Sequence, residues 1–179
     1  MTALGITDSI EIALLSRIIV ETVSICNYII KNEEGQEGGV LCVANPECGS
    51  PILMCFYGET SRSELGTYIA LAREKALRLA SHPGDWSSWQ SRNLNANQYA
   101  GALKVGKFIL SFSGFKEEQD EAAMLVLAMN VGLMDGGPAA MIAQMSKNEY
   151  FRKLQNACGV DSKSTNPLDH FRLADEKHP

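Results

Sequence analysis

The sequence has little positive charge for its size. Its 179 residues include 16 Lys and Arg against 21 Asp and Glu, which gives a formal net charge of −5. Nucleic-acid-binding domains concentrate basic residues on one face, and anionic membranes attract basic segments. We therefore expect neither nucleic acid nor a membrane surface as a partner. The length and the 45% hydrophobic content suit one globular domain with an extension.

Several motifs that would identify a chemistry are missing. No Walker loop, GxGxxG, GxSxG or HExxH sequence occurs. The five cysteines form no CxxC pair, so we predict no metal site. The N-terminus lacks the basic region of a secretory signal, and we therefore expect reduced thiols in a cytoplasmic protein.

A long helix is predicted over residues 8–31. The stretch 10–30 is apolar enough to suggest a membrane span, but Glu11, Arg17 and Glu21 interrupt it, which favours a helix in water. One face follows the spacing of a buried stripe, while Ile12 and Ile19 belong to a second apolar face. That second face is buried either within the fold or against another subunit. We therefore expect a homo-oligomer.

The remaining pattern alternates short strands with helices. Strands are predicted at 40–44 and 52–57, a helix from Ser61 to about residue 80, and a loop at 85–97. Two more strands follow at 99–105 and 107–113, then a helix from about residue 117 and a last helix over 138–157. Because short turns join neighbouring strands, the fold class is α+β, with an antiparallel sheet flanked by helices. We divide the chain into a domain at 1–137 and a C-terminal helix and tail at 138–179.

Three segments in this order resemble one protein family. They are the N-terminal helix with its hairpin, the Lys75-Ala76 pair in an Ala-rich helix, and the run from Tyr99 through Ser113-Gly114 into Asp120-Glu121-Ala122. Together, over roughly residues 8–135, they are similar to the haem-degrading-domain family, which includes GlcG- and HbpS-like proteins and the C-terminal domain of PduO-type enzymes. The resemblance implies a profilin-like α/β fold, oligomeric assembly and, as candidate cofactor, haem.

A candidate ligand-binding site lies where the fourth strand meets the following helix. Ser113 and Gly114 precede a helix N-terminus, whose exposed N–H groups form a general anion site. A ligand carboxylate or phosphate at this site could also contact Lys75 or Arg78 from the preceding helix. The alternative is an ordinary strand-to-helix turn in which Gly114 relieves backbone strain.

His82 is the candidate histidine of the folded part of the chain, since His170 and His178 belong to the polar tail. It follows a helix C-terminus, where its positive charge would complement the helix dipole. The functional alternative is an axial haem ligand or a proton donor in a pocket rimmed by Trp86 and Trp89.

The acidic run before residue 122 is a further candidate. Glu118 and Glu121 are three residues apart and share a helix face, where they could bind a cation or could simply stabilise the helix start. Three functions remain open at this point. They are a small-ligand-binding protein with haem or another tetrapyrrole as the candidate ligand, a haem-degrading enzyme, and an accessory protein that acts through assembly with a partner.

Overall fold

The computed structural model describes residues 4–158 and contains one antiparallel sheet with helices on both faces. The elements are α1 (Leu4–Asn32), β1 (Gly38–Ala44), β2 (Pro51–Gly58), α2 (Arg62–Ser81), β3 (Ala102–Val105), β4 (Phe108–Ser113), α3 (Glu117–Asn130), α4 (Gly136–Met145) and α5 (Tyr150–Ala157). A short 3-10 helix, Leu94–Ala96, lies in the long segment between α2 and β3. The predicted α+β class is confirmed.

The strand order is β2-β1-β4-β3, and every neighbouring pair is antiparallel. β1 and β4 form the centre, and all their residues are buried. Strands buried on both faces read as continuous apolar runs, which explains the sequence of β1. β2 and β3 form the two edges.

The two faces of the sheet bury different sets of side chains. On one face, α1 and α3 pack against a large cluster that includes Leu41, Leu110 and Phe112. On the other face, α2 packs its alanines Ala72 and Ala76 closely against the strands. Small side chains allow this close approach, so the polar side chains of α2 come within reach of the sheet end.

The predicted single helix over 138–157 is wrong, because the structure has two helices there. α4 ends at Met145, and Lys147 adopts a left-handed conformation with φ of 56°. That conformation reverses the chain, and the Asn148 side-chain amide donates to the Glu118 carbonyl, 2.8 Å away. β3 is also shorter than predicted, since Tyr99 and Ala100 bond to side chains instead of continuing the strand.

The predicted helix over 8–31 is confirmed as α1, and its outer face is apolar. By length and composition, Glu11–Asn32 would also suit a membrane span, with a mean hydropathy of 1.5. Only 28% of its most apolar window is buried within the protein. Ile12, Val20 and Val23 are among its exposed residues.

Candidate functional site

Arg78 anchors the long segment between α2 and β3. It is buried, and its guanidinium donates to the carbonyl oxygens of Ser88 and Tyr99 at 2.7 and 2.6 Å. Further bonds reach the Ser91 hydroxyl at 3.0 Å and the Glu74 carboxylate at 2.7 Å. Because these bonds engage all three guanidinium nitrogens, Arg78 positions the segment from inside the fold.

Lys75 lies one turn earlier on α2 and is also buried. Its Nζ is 2.8 Å from Asp120 Oδ2 and 2.8 Å from the Phe112 carbonyl oxygen. Gly101 packs directly against this pair, since an added Cβ would lie 2.9 Å from Lys75 Nζ and 2.7 Å from the Asp120 Cβ. Burial raises the pKa of Asp120 to about 6, although Lys75 acts in the opposite direction.

Ser113 and Gly114 lie at the sheet end that Lys75 approaches, as the sequence suggested. Gly114 has a φ of 149° and packs against the backbone of Gly38, so a side chain would not fit there. The N–H of Phe115 donates to Asp120 Oδ1 at 3.1 Å, and the N–H of Lys116 donates to Gln119 at 3.2 Å. The protein's own side chains therefore bind two of the N–H donors that lie next to the predicted anion site.

His82 caps the C-terminus of α2 and is exposed to solvent. Its Nδ1 lies 2.7 Å from the Arg78 carbonyl oxygen. Trp86 is half exposed nearby on the same segment, and its carbonyl oxygen accepts from the Lys104 N–H at 2.8 Å. His170 and His178 lie outside the described residues. The structure thus brings Lys75 to the Phe112 carbonyl, next to Ser113 and Gly114. It does not bring the other two predicted residues there, since Arg78 bonds to the segment between α2 and β3 and His82 contacts the Arg78 carbonyl.

Glu121 forms a second buried polar cluster, next to the first. Its carboxylate accepts from the Ser87 hydroxyl at 2.8 Å, the Ser146 hydroxyl at 2.6 Å and the Asn148 amide at 3.0 Å. These partners come from two separate segments of the chain, the one between α2 and β3 and the α4–α5 turn. Within the described residues, no lysine or arginine forms an ion pair with Glu121.

A small pocket of about 160 Å³ opens beside this cluster. Its lining combines three carboxylates, two basic side chains, one indole and three smaller residues: Glu117, Glu118, Glu121, Arg92, Lys147, Trp89, Ala100, Ser146 and Asn148. Arg92 forms an ion pair with Glu117 at 2.8 Å, and Glu117 also accepts from the Ala100 N–H at 2.7 Å. With three carboxylates against two cations, the lining has an excess of one negative charge.

A larger open groove of about 800 Å³ lies between α4 and α5. Lys147 and Asn148 line both this groove and the small pocket, so the left-handed turn separates the two cavities. A non-glycine residue with positive φ is uncommon and costs free energy, and such residues are frequent at functional sites. None of the five predicted site residues lines either cavity.

Sequence reasoning missed most of the residues around the small pocket. The sequence presents Glu121 as one of two carboxylates that share a helix face, where they bind a cation or stabilise the helix start, whereas the structure buries Glu121 at 3% exposure. Ser87, Ser146 and Asn148 gave no signal, because isolated Ser and Asn residues are typical of turns. The one available signal was the dense acidic start of α3.

Comparisons with known proteins give one match. No family model and no curated protein matches the sequence. Among solved structures, the crystal structure of the Klebsiella pneumoniae protein ORFY, of family DUF336, is similar to this chain, with 15% sequence identity and a TM-score of 0.41. The similarity covers 66% of this chain and 90% of that chain.

Proposed function

We propose that this protein binds a small organic cation, such as an amine or a guanidinium compound, in the pocket beside Glu121. The observation that carries the proposal is a buried carboxylate held by neutral donors on the wall of a pocket with two further carboxylates. Hydroxyl and amide donors stabilise the carboxylate without cancelling its charge, so the potential at the pocket is negative and favours a positively charged ligand. Trp89 adds an aromatic surface, which attracts cations.

The size of the pocket limits the ligand. Pockets for drug-sized molecules measure about 300–1,000 Å³, whereas this pocket measures about 160 Å³. A ligand of a few non-hydrogen atoms therefore fits, and a longer molecule would extend past Lys147 into the groove. Lys75 and Arg78 serve this site as positioning residues, because they fix the segments that carry Trp89, Arg92 and Glu121.

Methylguanidinium is a suitable probe, with propionate as a control of similar size and opposite charge. We expect methylguanidinium to shift the indole N–H resonance of Trp89, which a Trp86→Phe variant would identify. Propionate should leave that resonance unchanged. Glu118→Gln should weaken binding several-fold, whereas Glu149→Gln, in the neighbouring groove, should not. Equal responses to both probes would refute the proposal.

The resemblance to the haem-degrading-domain family supports a second candidate function, the binding of haem or another tetrapyrrole in an oligomeric assembly. His82 is the candidate axial ligand, because it is exposed after α2 and Trp86 is half exposed nearby on the same segment. Haemin titration tests this function, since binding through His82 would shift the Soret band and His82→Ala would abolish the shift. A band identical to that of free haemin would exclude it.

We also propose that the protein assembles with copies of itself and works in a reducing, cytoplasmic compartment. The apolar outer face of α1 supports assembly, and the five free thiols are compatible with a reducing compartment.

A further inference from the structure

The two edges of the sheet differ in how they are protected. β3 has four residues, and Ser87 forms a bridge to its Leu103. β2 has eight residues, Pro51 to Gly58, and none of them is charged. Within residues 4–158, β1 is the one strand that pairs with β2, so its other edge is unpaired. Natural edge strands of this length are usually protected by charges, bulges or a covering segment.

The exposed side chains of β2 are self-complementary. Ile52 and Phe56 point to the α2 side of the sheet and are 47% and 57% exposed. They lie two residues on either side of Met54. If two copies of β2 pair antiparallel about Met54, Ile52 of one chain faces Phe56 of the other, and Leu53 faces Cys55. Every such cross-strand pair is apolar, which stabilises an antiparallel pairing.

α1 carries a matching apolar stripe on the side of β2. Its members recur at spacings of seven and four residues on one side of the helix, as in the seam between two packed helices: Ile12, Ile19, Val23 and Ile30. The Tyr57 hydroxyl donates to the Ile19 carbonyl oxygen at 3.3 Å, which places this stripe beside β2. Ile12 and Val23 are 64% and 42% exposed.

We propose that the unpaired edge of β2 and this stripe of α1 together bind a second copy of the same chain. A two-fold axis at Met54 joins the two sheets into one of eight strands and brings the two α1 helices side by side above it. A two-fold axis requires a surface patch that is complementary to itself, and the unpaired edge of β2 is such a patch. The inference rests on the assembly part of the proposed function and is independent of ligand binding.

Phe56→Lys tests the interface, with Leu77→Lys as a matched control. Leu77 is 55% exposed, close to the 57% of Phe56, but it lies on α2 beside Gly49 of the β1–β2 turn and not on the edge strand itself. By light scattering, we expect at least twice the mass of one chain for the wild type and for Leu77→Lys. Phe56→Lys should reduce the mass at least two-fold while its circular dichroism spectrum stays unchanged.

A cysteine cross-link tests the register. In a Cys48→Ser background, which removes the exposed thiol, Met54→Cys should form a disulfide-linked dimer under mild oxidation. Ile52→Cys should not, because it faces Phe56 of the second copy.

A monomeric wild type would overturn both this interface and the assembly part of the proposed function. An assembly that survives Phe56→Lys at full mass would overturn only the interface. Monomers that associate with phosphatidylcholine–phosphatidylglycerol vesicles through α1 would instead assign this face to a lipid surface and also refute the inference.

Discussion

Asp120 and Glu121 are neighbours on α3, and both are buried, with at most 3% of each residue exposed. Asp120 faces the sheet end and forms an ion pair with Lys75. Glu121 faces the α4–α5 turn and accepts hydrogen bonds from hydroxyl and amide groups alone. The same helix therefore stabilises one buried charge with an opposite charge and the next with dipoles. Only the second arrangement leaves a negative potential at a pocket.

The largest expected effect comes from removing the counter-charge of Asp120. Lys75→Met leaves a buried carboxylate without its cation, and such a loss typically costs about 3–5 kcal/mol of stability. The cost should be greater at pH 8 than at pH 5, because protonation of Asp120 relieves it. Urea unfolding at both pH values would measure this. Lys104→Met, which loses one bond at 3.3 Å near the surface, is the control and should cost under about 1 kcal/mol.

If Lys75→Met destabilises the protein no more than the control does, Lys75 is not the group that stabilises the Asp120 carboxylate. The contrast between the two carboxylates would then be lost.

The pH dependence of stability should identify Asp120 itself. Burial raises its pKa from 3.8 to about 6. Between these values the folded protein keeps a proton that the unfolded chain releases, so the free energy of unfolding falls as pH rises. A pKa shift of this size corresponds to about 3 kcal/mol in the free energy of unfolding, and this contribution is lost mainly between pH 4 and pH 6.

Comparison of wild type with Asp120→Asn by urea unfolding would isolate this contribution, because asparagine does not titrate. The variant should lack the decrease across that window. If the contribution of Asp120 to the free energy of unfolding instead increases from pH 4 to pH 6, the raised pKa of Asp120 is contradicted.

Glu121→Gln should have a smaller effect on stability and a larger one on binding. Glutamine keeps one carbonyl oxygen for two of the three donors but places its NH₂ group against the third. A mismatch of this kind costs about 1–2 kcal/mol. We also expect the affinity for methylguanidinium to fall at least several-fold, as measured by the Trp89 resonance. Unchanged affinity for methylguanidinium in this variant would show that Glu121 has a purely structural role.

The smallest effect is expected at the turn that borders the pocket. Lys147→Gly should stabilise the protein by about 0.5–1 kcal/mol, since glycine adopts positive φ without the side-chain penalty. Asn97 has a similar φ of 54°, against 56° for Lys147. Because asparagine tolerates this conformation better, Asn97→Gly should change the melting temperature less. Equal shifts would indicate that the Lys147 turn is not strained.

The sheet and the main helices were predictable because their signals are local. The strands of 38–58 and 102–113 lie between Gly- and Pro-rich turns, and Ser61 with Glu64 marks the start of α2. The break after Met145 was not predictable. It depends on Asn148 bonding to Glu118, a contact between segments thirty residues apart.

The site was predictable only in part. Reasoning from residue type placed Lys75 or Arg78 near Ser113 and Gly114. The structure brings Lys75 to the Phe112 carbonyl, whereas Arg78 bonds to the segment between α2 and β3. The sequence did not reveal that Asp120 and Gln119 would bind the N–H groups of Phe115 and Lys116. Whether an acidic side chain on a helix start faces solvent or the core is decided by the elements that pack over it. Here those elements are the Arg78-anchored segment and the α4–α5 turn.

The way in which that segment is attached has a consequence for kinetics. Between α2 and β3 the chain has little regular structure, and side chains such as Arg78 and Glu121 hold it to the rest of the protein. Segments held in this way open locally at a lower free energy than the core unfolds. Amide protons of residues 85–99 should therefore exchange with solvent faster than those of β1 and β4, and the opening rate would limit how quickly the pocket exchanges its contents.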